Sequence, residues 1–235
     1  MQYLTLTWLD ISFAINMLSH FMHRLSTTHW SVVKRVLWYL KGTIHLVLLL
    51  HKHSLHTLHA FANAAWVGNY DDRTSMSAYV IFLGSNPISW SSKKQNTMAR
   101  SSTEVKYRVV ASTATKVNWV QNLLHELNAC TGFGPPMSYF DNVGATYVYD
   151  NLVFHSRMKH IAMDFHFVRD QVSKKLLWVS YVHTSNQLVD SLTKPLSCLQ
   201  FLDHRSKIGL HDRSSILRGH ERKGSWLDTS HIHFW

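Results

Sequence analysis

A chain of 235 residues, 46% of them hydrophobic, has room for one packed domain and a smaller appendage, which argues against wholesale disorder. No apolar run approaches the roughly 18 residues of a membrane span, and two distant cysteines, Cys130 and Cys198, argue against a disulfide framework or a zinc knuckle. Lysine and arginine outnumber the acids 24 to 14, and a net charge of +10 favours a polyanionic partner through phosphate contacts and counterion release. Charge by itself does not separate nucleic acid from an anionic membrane surface. The N-terminus lacks the charged region and cleavage site of a secretory signal, so the expected setting is intracellular and reduced, in cytoplasm or nucleus.

Helical apolar spacing over 10–23, with Ile11, Phe13, Ala14, Met17, Leu18 and Phe21, predicts a first helix capped by Asp10. A second is expected over about 28–40, capped by Thr27 or Thr28 and stopped by Gly42. The two read as a helical hairpin, not a complete domain, and a short apolar strand follows over 45–51. From 58 the pattern changes: 58–63 alternates as a strand, the YVIFL run at 79–83 makes a second, and, after a turn at 84–87, 88–91 makes a third. A long helix is expected over 101–127, with Ser101 or Ser102 as its cap and Glu104 in its first turn. A fourth strand at 137–140 ends at Asp141. Helices at 142–149 and 158–173, a fifth strand at 176–182 and a helix at 186–193, stopped by Pro195, complete the order. This succession makes an α/β layered domain with the first strand of the meander at the centre of the sheet. The polar stretch from about Gly219 reads as a poorly ordered tail.

Three acids fall at informative places: Glu104 opening the long helix, Asp141 ending the fourth strand and Asp190 in the last helix. Carboxylates at strand ends and helix starts can converge on one edge of an open sheet. Hard Mg²⁺ prefers oxygen ligands, and two such ions can stabilise the attacking and leaving oxygens of a phosphodiester. Taken without further motifs, the same acids read more readily as helix-terminal charge and caps.

Further motifs do exist. The segments DISFAINMLSHFMH, VVKRVLWYLKGT, SAYVIFLGSNPISWSSKKQ, ARSSTEVKYR, YFDNVGATY, HSRMKHIAMDFHFVRD and QLVDSLTKPL are similar, in this order, to the reverse transcriptase–RNase H region of copia-type retrotransposon polyproteins. The match runs over about 2–219. The resemblance implies an RNase H-like α/β fold, a mixed five-stranded sheet flanked by helices and preceded by a short helical segment. It implies a reverse transcriptase remnant over 1–52, the RNase H-like domain over 56–195, and a C-terminal helix and tail over 196–235. It also implies cleavage of the RNA strand of an RNA–DNA hybrid with two Mg²⁺ ions, its acids mapping onto Glu104 in SSTE, Asp141 in YFDN and Asp190 in LVDSLTKP. In an intact element the partners would be that hybrid and the reverse transcriptase portion, with no membrane.

The sequence departs from this family at its first strand, which resembles FSDADWAG elsewhere. Here it is Phe61-Ala62-Asn63-Ala64-Ala65-Trp66-Val67-Gly68, so Asn63 stands where the central Asp is expected and Ala65 replaces the second. An amide oxygen brings no charge, and three carboxylates would have to hold two divalent ions. Hydrolysis is therefore expected to be greatly reduced or absent. Trp8 and Trp38 stand where Arg is usual, Lys106 and Lys116 where Glu is common, and Val105, Met98 and Leu9 where Ala, Val and Pro are common. Each exchange, like Asp to Asn at 63, needs one C-to-T or G-to-A transition, the expected scar of cytosine deamination; Ala65 does not fit it. The readings left are a disabled nuclease, a non-enzymatic binder of hybrid or duplex, and a remnant without selected function.

Secondary signals are weaker. Arg157, Lys159 and His160, in HSRMKH, are phosphate-contact candidates or a solvated helix start. Lys93 and Lys94 could track a nucleic-acid backbone, while Trp90 before them reads as core. His183 is a candidate proton shuttle ahead of Asp190. The Asp71–Asp72 pair reads as solvated surface.

Overall fold

The computed structural model describes residues 3–52, 57–68, 73–129, 134–141 and 162–213. Three short or medium helices come first, α1 (Leu4–Thr7), α2 (Ser12–Ser19) and α3 (Thr27–Gly42), then β1 (Leu46–Leu48). A meander follows, β2 (Leu58–Ala65), β3 (Met76–Leu83) and β4 (Asn86–Lys94), and leads into the long α4 (Ser102–Glu126). Then come β5 (Met137–Phe140), α5 (Ala162–Ser173), β6 (Trp178–Tyr181), α6 (Cys198–Lys207) and β7 (Leu210–Asp212).

Five strands form one mixed sheet in the order β4-β3-β2-β5-β6. The meander pairs antiparallel, whereas β5 lies parallel to β2 and β6 parallel to β5. The first strand of the meander is central, as its position in the sequence predicted. Alternation in β2 explains why. Leu58, Ala60, Ala62 and Ala64 point to one face and are buried under Val105, Val109, Val117 and Val120 of α4. Three alanines in that row leave room for the helix backbone to approach the sheet closely. Phe61 points to the other face, where Leu9, Val80, Phe82, Val189, Leu192 and Ile208 form a second cluster. Burial of one such side chain stabilises by roughly 1.5–3 kcal/mol before entropy is counted.

The leading helices lie against this second face. Leu9 joins its cluster, and α2 and α3 close over Ile11, Ile15, Leu18, Val36 and Tyr39, with Phe201 of α6 packed on them. β1 pairs antiparallel with β7, Val47 opposite His211, which ties the leading segment to the end of the described chain.

Several local expectations change. Asp10 does not cap α2: Ile11 holds the cap position without a side-chain bond, and Asp10 is buried, accepting a hydrogen bond from the Tyr39 hydroxyl. Burial raises the pKa of this carboxyl, and Tyr39 is raised as well by burial and by the Asp10 charge. Ser26, one residue earlier than expected, caps α3 by accepting from the His29 N–H. Ser101 caps α4 as anticipated, accepting from the Glu104 N–H. The expected helix at 186–193 is instead two 3₁₀ turns, Thr184–Asn186 and Leu188–Leu192. Their tightness follows from Gln187, which is fully buried between them and donates from Nε2 to the Ala62 carbonyl at 3.1 Å. The helix expected at 142–149, the start of the one at 158–173, and the stretch from 219 lie outside the described residues.

Candidate active site at the sheet edge

β2 and β5 are parallel neighbours, with Phe61 opposite Tyr139 as the last paired positions. Two residues further along each strand come Asn63 and Asp141, so the topology places them at the same sheet edge. Asn63 is 6% exposed and Asp190, in the second 3₁₀ turn, 3%. The Asn63 amide Nδ2 donates to Asp190 Oδ1 at 2.6 Å, and its Oδ1 accepts from the Ala64 N–H at 2.7 Å. The second oxygen of Asp190 meets Lys194 Nζ at 2.7 Å.

Glu104, in the first turn of α4, is 2% exposed. Its Oε1 accepts from Arg108 at 2.6 Å and its Oε2 from the backbone N–H of Arg100 at 2.8 Å. Two residues along the same helix, Lys106 reaches across to the end of β5, where its Nζ lies 2.9 Å from Asp141 Oδ1. Each of the three acids is thus matched by a cation of its own chain, Glu104 by Arg108, Asp141 by Lys106 and Asp190 by Lys194.

This arrangement does not fit a pair of Mg²⁺ ions. Mg²⁺ needs near-octahedral oxygen donors with negative charge to spare. At position 63 an N–H donor, not an oxygen, faces Asp190. Among the described residues no three His, Cys, Asp or Glu side chains are grouped so as to hold a metal.

No family model matches the chain. Its sequence is 50% identical over 210 residues to the retrovirus-related Pol polyprotein from transposon RE2 of Arabidopsis thaliana, covering 89% of this chain and 14% of that protein. The figures are the same for the Pol polyprotein from transposon RE1 of the same plant. The chain belongs to the retrovirus-related Pol polyproteins of copia-type plant transposons. It spans about one-seventh of their length (14%). Among solved structures, LC11-RNase H1, isolated from compost, aligns with a TM-score of 0.44 at 11% identity, over 59% of this chain and 94% of that one. The mixed five-stranded sheet flanked by helices is the α/β fold that the resemblance implied.

His183 is exposed, and its Nδ1 accepts from the Ser185 N–H, capping the first 3₁₀ turn; its ring contacts are with Ser185. Lys93 is exposed on β4 and lines, with Lys116, Ser112 and Thr115 of α4, a groove of about 320 Å³. Lys94 is half-buried at the end of β4, opposite Met76. Trp90 packs against the second cluster and donates from Nε1 to the Thr5 carbonyl at 2.7 Å. Arg157, Lys159, His160 and the Asp71–Asp72 pair lie outside the described residues.

Reasoning from the sequence missed Arg108 and Lys194 as partners, although both sit four residues after an acid, the spacing that brings side chains together on a helical turn. The partner of Lys106 could not be read that way, because Asp141 is 35 residues distant. A second cavity, about 440 Å³, opens near the other end of the same strands, lined by His59, Phe61, Met137 and Tyr139. There His59 stacks on Phe82 at 5.2 Å, and burial holds its pKa below the usual value.

Proposed function

We propose that this Pol segment is a catalytically silent RNase H-like module that grips RNA–DNA hybrid through its basic surface without cutting it. The observation that carries the reading is the Asn63–Asp190 hydrogen bond, in which an amide N–H satisfies an acid at the sheet edge where the family would place a further carboxylate. Phosphodiester hydrolysis of the ancestral kind depends on positioned metals and their charge. With Glu104, Asp141 and Asp190 occupied by Arg108, Lys106 and Lys194, the charge that would attract such ions is already spent inside the protein.

What remains available is cationic surface. A net charge of +10 supplies the long-range attraction, and Lys93 and Lys116 line one groove beside α4. Such contacts would read backbone and duplex shape, not base sequence. In the whole polyprotein, the preceding reverse transcriptase portion is the partner proposed for the exposed Trp30, Leu37 and Trp38 of α3.

Equilibrium binding to a fluorescent RNA–DNA hybrid, measured from low to moderate salt, tests the reading. The expected result is binding that weakens linearly in log salt while the RNA strand is recovered whole. Lys93→Ala and Lys116→Ala should each lower affinity and reduce the salt slope by about one. Salt-independent binding, or none, would overturn the assignment.

A further inference from the structure

Resting on the reading of a silent site, we propose that Lys106 is a second lock on it, independent of Asn63: its ammonium holds the Asp141 carboxylate in the place a divalent cation would need. Reversal at position 63 alone then leaves the site unable to take a metal.

The three internal ion pairs are not equivalent. Arg108 and Lys194 each sit four residues from their acid on the same turn, and such local pairs can open by a rotamer change. The Lys194 side chain is 45% exposed, so water can replace it at little cost. Lys106 is different, since it bridges two separate elements, α4 and the end of β5; at 21% and 11% exposed it is buried much as the Arg108–Glu104 pair is at 24% and 3%, so the bridging is what sets it apart. Partial burial shields this pair from salt and strengthens it relative to a surface pair. It also lies where the damage is greatest. Asp141 is the acid that the β2–β5 register sets beside Asn63, so the two neighbouring positions are neutralised by separate means, one by an amide and one by an ammonium.

A divalent cation binding at Asp141 must displace the Lys106 ammonium and then remain within a few ångströms of it. Like charges at that separation repel strongly in a partly buried site. Removing the ammonium while keeping the side-chain length, as in Lys106→Gln, returns one negative charge to the edge. That change is expected to tighten cation binding at least about tenfold, but only where a carboxylate also stands at 63.

The test uses the full chain in four forms: unaltered, Asn63→Asp, Lys106→Gln, and both together. Mn²⁺ binding is measured by calorimetry and the melting temperature is compared with and without Mg²⁺. Only the double variant is expected to show saturable Mn²⁺ binding and a melting temperature that rises with Mg²⁺. Asn63→Asp paired with Lys106→Arg, which restores a cation, should lose both signals, and Lys106→Met in place of Gln should keep them if Gln harms folding. Equal Mn²⁺ affinity in Asn63→Asp and the double variant would overturn the lock, as would a folded double variant that binds no better than either single one. Hybrid cleavage by the unaltered chain would instead sink the silent-module reading, and the Mn²⁺ comparison would still judge Lys106.

Discussion

An amide differs from a carboxylate by one heavy atom and one charge, and at position 63 that difference sets the direction of a hydrogen bond. Asn63 donates to Asp190, whereas a carboxylate there would place two acceptors 2.6 Å apart and penalise the ionisation of both. The amide therefore suits a site without a cation. Charge elsewhere is set by burial. His59 and His204 both titrate below the usual histidine value; burial is the main cause in each, and for His204 it outweighs the pull of Asp190 and Asp203. A histidine lowered in the folded state binds fewer protons there than when unfolded, so its contribution is intact above the unfolded value of 6.5 and is lost as pH falls through the window below it. Asp10, raised by burial, acts in the opposite sense, gaining stability as pH falls through its raised value toward 3.8. The melting temperature is thus expected to decline as pH drops below about 6.5, and the pair His59→Phe with His204→Gln should flatten that decline. An unchanged slope in the double variant would show that burial of these rings is not what the fold feels.

At the scale of elements, strands were the most legible feature. Alternation located β2, and β5 was expected at the residues it occupies; β2, β3 and β5 each bury a row of side chains that the period of two exposes to inspection, whereas β4 does not. The cap of α4 was narrowed to Ser101 or Ser102, and Ser101, which precedes Glu104 at capping-box spacing, holds it. The stretch after β6 was not legible. Helical propensity over 186–193 lost to a tertiary bond, the one from Gln187 to the Ala62 carbonyl, 125 residues away in sequence. The same long-range character hid the Lys106–Asp141 pair and made Asp10 look like a cap when it is a buried acceptor for Tyr39. Gln187 carries a consequence for the site, because the turn that it fixes carries Asp190. Gln187→Ala is expected to cost about 1–3 kcal/mol by urea unfolding, the usual loss when a buried hydrogen bond is left half-made. A change under about 0.5 kcal/mol, the range of an ordinary surface substitution, would mean that the turn is held by the packing of Val189 and Leu192 alone.

For the molecule as a whole, the leading helices and the last strand are parts of one packed body. Leu9 lies in the same cluster as Val80, Phe82 and Ile208, and β1 pairs with β7. The segment ahead of the sheet is thereby built into its second face, so the acids at the sheet edge stand on a frame closed from both ends of the described chain. On that frame, charge is balanced internally at the edge and left in excess over the surface, where the chain carries +10. A protein so arranged is expected to hold nucleic acid and leave it intact. The most direct test is single-turnover incubation of the full chain, in excess, with an end-labelled RNA–DNA hybrid in Mg²⁺, at a salt concentration where binding is complete. Full-length RNA is expected at every time point. Metal-dependent shortening of the RNA strand by purified chain, abolished by Glu104→Gln, would contradict it.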